Sequence, residues 1–349
     1  MQDNSITIAA VGDTVCRAAD GTDPFRFTRD ILNRADLRFV NLETVVAGEG
    51  IGRPAAKWIH LRTDPDQLRH LPADVVNLAN NHVFDYGPVA FGEMIERLAG
   101  AGIKWIGVET GLGRGSVILN RNGLRVGCVG FQAYPMKAGT FAVKGCEDQE
   151  AALWDVSTFS ERVDATIVSL HWGAEHAPHP SPAQVEFAHK LIDAGACLIL
   201  GHHPHRPQTV EQYKNGLIAY SLGNFNFVQP DVKAQWLNQL SMILQVTIDR
   251  SGVSNYELTP IWIDEETGIP KPARHYSGLL KSEEHVPWKQ WYEEIGATYI
   301  KQTLRSFAVT IPRYGVVRVR KLWWWLRQAH TWRAVGGMLR GWIGEILCR

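Results

Sequence analysis

The sequence has few cysteines, no long apolar run and no surplus of charge of either sign. Its five cysteines include no Cys-x-x-Cys pair, and an odd number cannot all pair within one chain. This composition excludes a disulfide-rich secreted scaffold and fits a reducing compartment. No run approaches the roughly 18 apolar residues of a membrane span, and no signal peptide pattern precedes the first apolar run. We therefore expect a cytoplasmic protein, with a peripheral place at the inner membrane face as the alternative.

The zero net charge is a cancellation between two unequal parts of the chain. Lysine and arginine together number 36, as do aspartate and glutamate. The segment 313–349 holds seven arginines and Lys321 against Glu345 alone, so the rest of the chain is net acidic. Without another basic cluster, nucleic acid is not expected as a partner. The glycine-rich loop of P-loop NTPases is also absent, so an ATP-driven reaction would need another subunit.

Short apolar runs recur along the chain, and each ends in polar residues. The runs are Ile6 to Val11, Leu37 to Val40, Asp74 to Asn77, Ala165 to Leu170 and Cys197 to Leu200. Such runs indicate buried strands that deliver side chains from their carboxyl ends. Helical patterns lie between them, and one begins at Ser181-Pro182, where an N-cap precedes a first-turn proline. Hairpin turns are predicted at Asn122-Gly123 and Asn215-Gly216. The pattern predicts an α/β sandwich with mixed sheets.

The polar residues after these strands are of the types that bind divalent metal ions. A two-metal site needs carboxylates to bridge the ions and neutral imidazoles to complete their coordination. Each position also has a simpler explanation, because Gly-Asp and Asn-rich pairs occur in turns and a lone histidine often packs in a core. The strongest signal is Gly-His-His-Pro-His, where three clustered imidazoles would repel one another if protonated. The candidate ligands and their neighbour are Asp13, Glu43, Asn81, His82, His171, His203 and His205.

Six motifs, in this order, resemble one known family. They are VGDTVCR, NLET, NLANNHVFDYG, SLHWGAEH, LGHHPHRPQ and YSLGNF, all within residues 5–265. The set is similar to the CapA family of poly-gamma-glutamate capsule synthesis proteins, a branch of the calcineurin-like metallophosphoesterase superfamily. The resemblance implies that residues 5–265 form a four-layer α/β/β/α sandwich. It also implies one or two divalent ions at the strand ends, for which Mn, Fe and Zn are all compatible with the ligand types.

The resemblance further implies a role for each candidate. Asp13 matches the carboxylate of the first metal, and Glu43 matches the bridging carboxylate. His82 matches the histidine that donates a proton or holds the leaving oxygen, and Asp85 would orient His82 and fix its tautomer. The second-metal ligands by this match are Asn81 and His171, and the pair divided between the metals is His203 and His205.

The sequence departs from the superfamily pattern at the first metal. Metallophosphoesterases begin with Asp-x-His, whereas Val15 stands two residues after Asp13. One histidine ligand is therefore missing, and a weak or empty first site is expected on this pattern. The bridging position holds a glutamate instead of an aspartate, which lengthens its reach. Among the three neighbouring histidines, the His-x-His spacing favours His203 and His205 over His202.

Three further residues are candidates for binding an anionic substrate. Arg17 and Arg206 lie close in sequence to ligand candidates, and guanidinium groups fit carboxylate and phosphate. The alternative for each is an ordinary surface arginine. Asn224, within YSLGNF, is predicted to close the pocket, although a turn at a strand end explains that motif nearly as well.

The chain after residue 265 has a different composition. We predict that residues 266–312 form a linker and helical extension, and that residues 313–349 form a basic, tryptophan-rich amphipathic helical tail. Arginine together with tryptophan is typical of helices in the headgroup layer of an anionic membrane. The tail would bind such a membrane surface or a membrane synthase. The alternative is that it docks its indoles on the preceding domain or on a partner.

Two functions are compatible with these patterns. The first is a metal-dependent hydrolase of capsule or poly-gamma-glutamate biosynthesis, which acts on a phosphoester or amide of an anionic polymer or its precursor through a metal-activated water. The second is a non-catalytic, metal-stabilised assembly component of a membrane-associated polymer synthase. The enzyme is preferred, because a purely structural metal has no evident use for His82 and Asp85 beside it.

Overall fold

The computed structural model describes residues 5–18, 21–57, 59–110, 113–227 and 239–273. Strands make up most of the regular structure in these ranges. They are β1 (Ile6–Thr14), β2 (Leu37–Leu42), β3 (Val45–Val46), β4 (Arg62–Thr63), β5 (Val75–Asn77), β6 (Lys104–Ile106), β7 (Val108–Thr110), β8 (Gly113–Arg114), β9 (Ser116–Arg121), β10 (Leu124–Gln132), β11 (Met136–Ala138), β12 (Phe141–Val143), β13 (Ala165–His171), β14 (Leu198–His202), β15 (Val210–Tyr213), β16 (Gly216–Ala219), β17 (Asn224–Asn226), β18 (Leu240–Asp249), β19 (Gly252–Ile263) and β20 (Pro270–Pro272). The helices are α1 (Arg29–Leu32), α2 (Gly87–Gly100), α3 (Gln149–Ser160) and α4 (Pro182–Asp193), with a 3-10 helix at Pro65–His70.

Two large mixed sheets form the centre of the fold. The first has the order β20-β19-β18-β1-β2-β5-β6, and β17 also pairs with β1. Strands β1, β2, β5 and β6 are parallel, whereas β18 and β19 are antiparallel. The second sheet has the order β15-β16-β14-β13-β10-β9, with antiparallel pairing only at its two edges among the described strands. Each sheet thus contains a run of parallel strands whose carboxyl ends lie at the same end of the sheet. Two smaller sheets have the orders β11-β12-β7-β8 and β3-β4.

The central strands divide their apolar side chains between two cores, because successive residues of a strand point to opposite faces. In β1, Ile8 lies in the core between the two large sheets, whereas Ala9 lies in the outer core that includes α2. In β13, Ile167 lies between the sheets and Val168 lies in the outer core that includes α3 and α4. The layers are therefore helix, sheet, sheet and helix.

Local sequence signals act as expected at one helix start and one hairpin. The Ser181 side chain accepts a hydrogen bond from the Gln184 amide at 3.2 Å, and the Gln184 side chain accepts one from the Ser181 amide at 3.0 Å. This reciprocal cap satisfies two amides at the start of α4. Asn122 and Gly123 both have positive φ, 47° and 76°, as a two-residue turn between β9 and β10 requires.

The second hairpin turns one residue earlier than predicted. Tyr213 pairs with Gly216, so Lys214 and Asn215 form the turn, with Lys214 at φ 53°. Gly216 is needed within β16 instead, since a Cβ there would lie 2.7 Å from the Cδ1 atom of Ile192. The close approach of helix α4 therefore explains the glycine better than the turn does.

The predicted four-layer α/β/β/α sandwich with mixed sheets is confirmed. No helix in the described part of the chain has the length and apolar character needed to cross a bilayer. The start of the predicted linker, residues 266–312, contains an edge strand, because Pro270–Pro272 pairs with β19. Proline lacks an amide hydrogen and is tolerated at sheet edges. The remainder of that segment and the predicted tail, residues 274–349, lie outside the described residues.

Candidate metal centre

The carboxyl ends of the central strands bring the predicted ligands together. In the first sheet, Asp13 lies near the end of β1, Glu43 follows β2, and Asn81 lies in the turn after β5. In the second sheet, His171 ends β13 and pairs in register with His202 at the end of β14. These side chains are buried except for that of Asn81, which is half-buried. Each sheet thus supplies one wall of a common site.

The ligand atoms form two overlapping sets. The first metal set contains Asp13, Glu43 and His205, and the second metal set contains Glu43, His171 and His203. Within each set, one ligand atom from each residue lies within 4.8 Å of the others. Glu43 belongs to both sets, so its carboxylate could hold an ion in each. Carboxylate and imidazole donors in this grouping fit divalent Mn, Fe or Zn.

Asn81 stands beside the second metal set. Its Oδ1 atom is 2.7 Å from Nε2 of His171, and that same Nε2 atom is 3.6 Å from Oε1 of Glu43. The amide oxygen therefore adds a donor next to two members of the set. Glu43, His171, His203 and Asn81 could together hold one divalent ion.

The surroundings of Glu43, and not only its distances to the other candidate ligands, favour a bound cation. Both of its carboxylate oxygens are buried and have no hydrogen-bond donor within the described residues. Burial, and next the charge of Asp13, raise the pKa of Glu43 well above its usual value. A buried carboxylate without donors is unfavourable unless a positive charge compensates it. The residues present therefore fit a divalent cation beside Glu43.

The imidazoles respond to the same charges in different ways. Burial, and next the charge of His203, lower the pKa of His171 well below its usual value, so its ring is neutral, as a metal ligand must be. Burial alone would lower the pKa of His205, but the charges of Glu43 and Asp13 and the hydrogen bond to Asp13 raise it to about 10. Burial alone would raise the pKa of Asp13, but the hydrogen bond to His205 and the charge of His205 lower it. The first metal set therefore attracts positive charge.

His82 and Asp85 form the pair that the sequence predicts. Nδ1 of His82 is 2.8 Å from Oδ2 of Asp85, and Nε2 of His82 is 3.9 Å from Oε1 of Glu43. One ring nitrogen thus faces Asp85 and the other faces the ligand cluster. Burial lowers the pKa of His82, partly offset by its hydrogen bond to Asp85, so the ring is neutral near pH 7. A neutral ring held at Nδ1 can accept or pass on a proton at Nε2.

Lys57 completes this pair, although no sequence pattern singles it out. Its Nζ atom forms an ion pair with Asp85 and lies 3.0 Å from the carbonyl oxygen of Asn81. It also lies 3.1 Å from Nδ1 of His82, but an ammonium can only donate and a carboxylate can only accept. Because Lys57 has two other acceptors, we assign the Nδ1 proton of His82 to its bond with Asp85.

Comparison with known proteins identifies the family. Residues 3–229, more than half of the chain, match the family described as "Bacterial capsule synthesis protein PGA_cap". The chain belongs to this family. The resemblance seen in the six sequence motifs is thereby confirmed.

Two curated PGA_cap relatives align with most of the chain. "PGA biosynthesis protein CapA" of Bacillus subtilis (strain 168) is 30% identical over 257 residues, which cover 70% of this chain and 66% of that protein. "Capsule biosynthesis protein CapA" of Bacillus anthracis is 32% identical over 270 residues, which cover 72% of this chain and 64% of that protein. The chain therefore spans just under two thirds of the length of each relative.

A solved phosphatase structure from Mycoplasma pneumoniae also matches, with a TM-score of 0.48 and 14% identity. The match covers 80% of this chain and all of that one. It is too distant to inform the chemistry of the PGA_cap site.

Two buried asparagines of the PGA_cap site were not predicted from the sequence. Asn77 donates a hydrogen bond to Oδ1 of Asn41 at 2.9 Å, and Asn41 donates one to Oδ1 of Asp13 at 2.8 Å. This chain of bonds leaves the other oxygen of Asp13 directed towards His205, at 3.1 Å. Both asparagines end apolar runs, and that position is the sequence signal that could have found them.

His202 takes a different place from the other two histidines of its motif. Its ring is fully buried and stacks on Phe39, with ring centroids 6.5 Å apart. Its Nδ1 atom is 3.7 Å from Oδ1 of Asp13, and it belongs to neither metal set. Burial lowers its pKa to about 4. The geometry therefore agrees with the preference for His203 and His205.

The three predicted substrate-binding residues differ in their positions. Asn224 is buried, and its Oδ1 atom is 2.9 Å from Nδ1 of His205, so it lies against the first metal set. Arg206 is half-buried and donates a hydrogen bond to the carbonyl oxygen of His176 at 3.1 Å. The side chain of Arg17 is exposed. Of these three side chains, the one that these distances place in contact with a ligand candidate is Asn224. A substrate-binding role for each of the three stays a prediction.

Non-glycine residues with positive φ are concentrated near the site. They include Cys16 after β1 and His176, His203 and His205 in the two loops that follow β13 and β14, at 55°, 64°, 96° and 58°. This conformation is costly for residues with a Cβ and persists where the surroundings hold it, often at functional sites. Here the positive-φ conformation turns His203 and His205, which lie in one short loop, towards the site.

Proposed function

We propose that this chain is a metal-dependent hydrolase of capsule or poly-gamma-glutamate biosynthesis, which acts on a phosphoester or amide of an anionic polymer or its precursor. The observation that carries the proposal is Glu43, whose two buried oxygens have no donor among the described residues and which belongs to both metal sets. The names of the two CapA relatives, which refer to PGA and capsule biosynthesis, support the pathway.

The chemistry follows from the arrangement around Glu43. Divalent ions, when bound, would lower the pKa of a water molecule and polarise a phosphoryl or carbonyl oxygen. His82 presents Nε2 to the same space, 3.9 Å from Glu43, while Asp85 holds Nδ1. Nε2 can therefore accept a proton from the attacking water and deliver it to the departing oxygen or nitrogen. Lys57 holds the Asp85 carboxylate in place through their ion pair.

Arg206, which adjoins the ligand candidate His205, supports an anionic substrate. Arg206 follows His205 directly, and its guanidinium is anchored by the His176 carbonyl, which leaves other donors of its fork for an anion. Arg17 lies three residues after Thr14, the last residue of β1, and its side chain is exposed. The basic tail, residues 313–349, is proposed to bring the protein to an anionic membrane surface or a membrane synthase.

Turnover of simple chromogenic substrates tests the proposal. Protein purified without chelators is supplied with Mn²⁺ and assayed on p-nitrophenyl phosphate, bis-p-nitrophenyl phosphate and γ-glutamyl-p-nitroanilide. We expect hydrolysis of at least one, lost with chelator and restored by metal. His82→Asn should retain metal and lower kcat by about 10²- to 10⁴-fold. His189→Asn is the matched control, because that ring stacks on Tyr213 and contacts Glu211.

The non-catalytic alternative predicts a different combination of results. Bound metal without turnover of any of the three substrates, together with loss of folding in His171→Ala, would favour an assembly component stabilised by its metal. Equal loss of activity in His82→Asn and His189→Asn would contradict the role given to His82.

A further inference from the structure

The first metal set lacks one protein donor if Val15 marks a lost ligand. Asp13, Glu43 and His205 supply three ligand atoms. Val15 is buried, and its backbone amide donates to the carbonyl oxygen of Asn226 in β17 at 2.8 Å. The strand beside the missing histidine is therefore β17, which begins with Asn224.

Strand β1 changes its neighbour just before the site. Residues Ile6 to Ala10 pair with antiparallel β18, whereas Asp13 and Thr14 pair with parallel β17. Asp13 is in register with Asn224. Residues in register on neighbouring strands point to the same face of a sheet. Asn224 is thus placed beside Asp13 on the face that carries the ligands.

Two glycines make this pairing sterically possible. A Cβ on Gly12 would lie 1.9 Å from the carbonyl oxygen of Gly223, and that same oxygen accepts a hydrogen bond from the Asp13 amide at 2.9 Å. Gly223 itself has φ 75°, and a Cβ there would lie 2.8 Å from Cδ of Pro207. The Gly-Asp and Gly-Asn pairs, more than 200 residues apart, therefore form one contact that brings the two polar side chains together.

The side-chain distances place Asn224 in contact with the first metal set. Its Oδ1 atom is 2.9 Å from Nδ1 of His205, and that nitrogen is 3.1 Å from Oδ2 of Asp13. Neighbouring ligands of one ion, each about 2.0–2.2 Å from it, lie about 3 Å apart. Asn224 is 2% exposed, so its oxygen is held in the cluster and away from open solvent.

We propose that Oδ1 of Asn224 is the fourth protein ligand of the first metal, in place of the imidazole that Val15 does not supply. An amide oxygen is a harder donor than an imidazole, so this exchange shifts the relative preference of the first site towards oxygen-preferring cations such as Mn²⁺. This inference rests on the proposed function, because both require a metal at Glu43. It replaces the substrate role predicted for Asn224 from the sequence.

Metal content and Mn²⁺ affinity, measured without any activity assay, test the inference. Wild type, Asn224→Ala, Asn224→Asp and the double variant Val15→His with Asn224→Ala are titrated with Mn²⁺ by calorimetry, and metal per chain is measured by mass spectrometry. We expect two Mn²⁺ sites in the wild type and one site weakened at least about tenfold in Asn224→Ala. Asn224→Asp should retain both sites, and the double variant should regain the weakened one. Asn226→Ala is the matched control, because the same truncation two residues along β17 removes side-chain bonds that go, within the described residues, to the backbone of Arg17 and Gly268 and not to the first metal set.

The outcomes separate this inference from the function on which it rests. Two unchanged sites in a folded Asn224→Ala would overturn the ligand role and leave the hydrolase proposal intact. Equal weakening in Asn224→Ala and Asn226→Ala would also overturn it, because the effect would then come from the strand. A single wild-type site that survives Asp13→Ala would show that the first metal set is not used. No metal in the wild type would overturn both proposals.

Discussion

Replacement of Glu43 by glutamine should make the protein more stable than wild type in the absence of metal. In the presence of metal, the variant should be less stable than wild type. Glutamine has nearly the same shape but no charge. In the wild type the Glu43 carboxylate is fully buried, has no donor within the described residues and lies near the charge of Asp13. Burial raises the pKa of Glu43 well above its usual value, so the metal-free protein must either carry an unfavourable charge or take up a proton there, and glutamine avoids both without opening a cavity.

The size of the effect follows from the burial of the carboxylate and from metal linkage. A buried polar group without a partner costs about 1–3 kcal/mol, and a charged one costs more. Because the amide of glutamine keeps part of this cost, we expect Glu43→Gln to raise the free energy of unfolding by about 1–2 kcal/mol in chelator. Metal at 100 times its Kd stabilises the native state by about 2.7 kcal/mol per site. Glu43 belongs to both metal sets, so the variant should lose this gain at both.

Urea unfolding followed by tryptophan fluorescence, in chelator and in saturating Mn²⁺, measures both effects. Glu175→Gln is the matched control, because it removes the same charge near the site from a side chain that is 48% exposed. That control should change the free energy of unfolding by less than about 0.5 kcal/mol. A Glu43→Gln variant less stable than wild type in chelator would refute the view that burial makes an ionisable group unfavourable at this position. Equal stabilisation of the variant and wild type by Mn²⁺ would refute the bridging role.

Two further predictions concern the fold. Arg38 makes a bidentate ion pair with Asp74 at 2.9 and 3.0 Å, and this pair holds the pKa of Asp74 below its usual value despite burial. The contribution of the pair to stability is therefore present above about pH 4, the ordinary range of an aspartate. That contribution is lost as the pH falls through the lowered pKa. Asp74→Asn should cost about 1 kcal/mol by urea unfolding at pH 7 and less at pH 3, and an equal cost at both would contradict this. Gly12→Ala should cost at least about 2 kcal/mol, measured in the same way, because its Cβ would meet the Gly223 carbonyl at 1.9 Å. Gly100→Ala should be neutral or stabilising, because no described residue outside the adjoining turn of α2 lies within 4 Å of the new Cβ. An equal loss in both variants would exclude the steric explanation.

The architecture and the ligand types could be predicted from local patterns. A buried strand is an uninterrupted apolar run, and the polar residue that ends it is placed at the sheet edge by the strand itself. Asp13, Glu43 and His171 are therefore visible in the sequence as residues that follow such runs. Parallel pairing of the strands then brings them together, and alternation of strands with helices already indicates such pairing.

Other parts of the site depended on contacts between distant residues. Lys57 lies in an irregular loop with no periodic pattern, and only its position over Asp85 shows what it does. Hydrogen bonds from Asn77 to Asn41 and from Asn41 to Asp13 require the side-by-side register of three strands. A local pattern identifies the end of a strand but does not specify its partner or its register.

The sequence by itself determined an α/β sandwich with mixed sheets and the set of polar residues at its strand ends, because hydrophobic periodicity and chain order are local properties. Only the tertiary structure decided how those residues are shared between two metal sets, why His202 packs on Phe39 while His205 meets Asp13, and where Asn224 lies. The approach of Gly12 to Gly223 brings β17 against β1, and that contact joins residues more than 200 positions apart. Such a contact depends on the packing of the whole chain, because the steric fit of two backbones is not encoded in either segment alone.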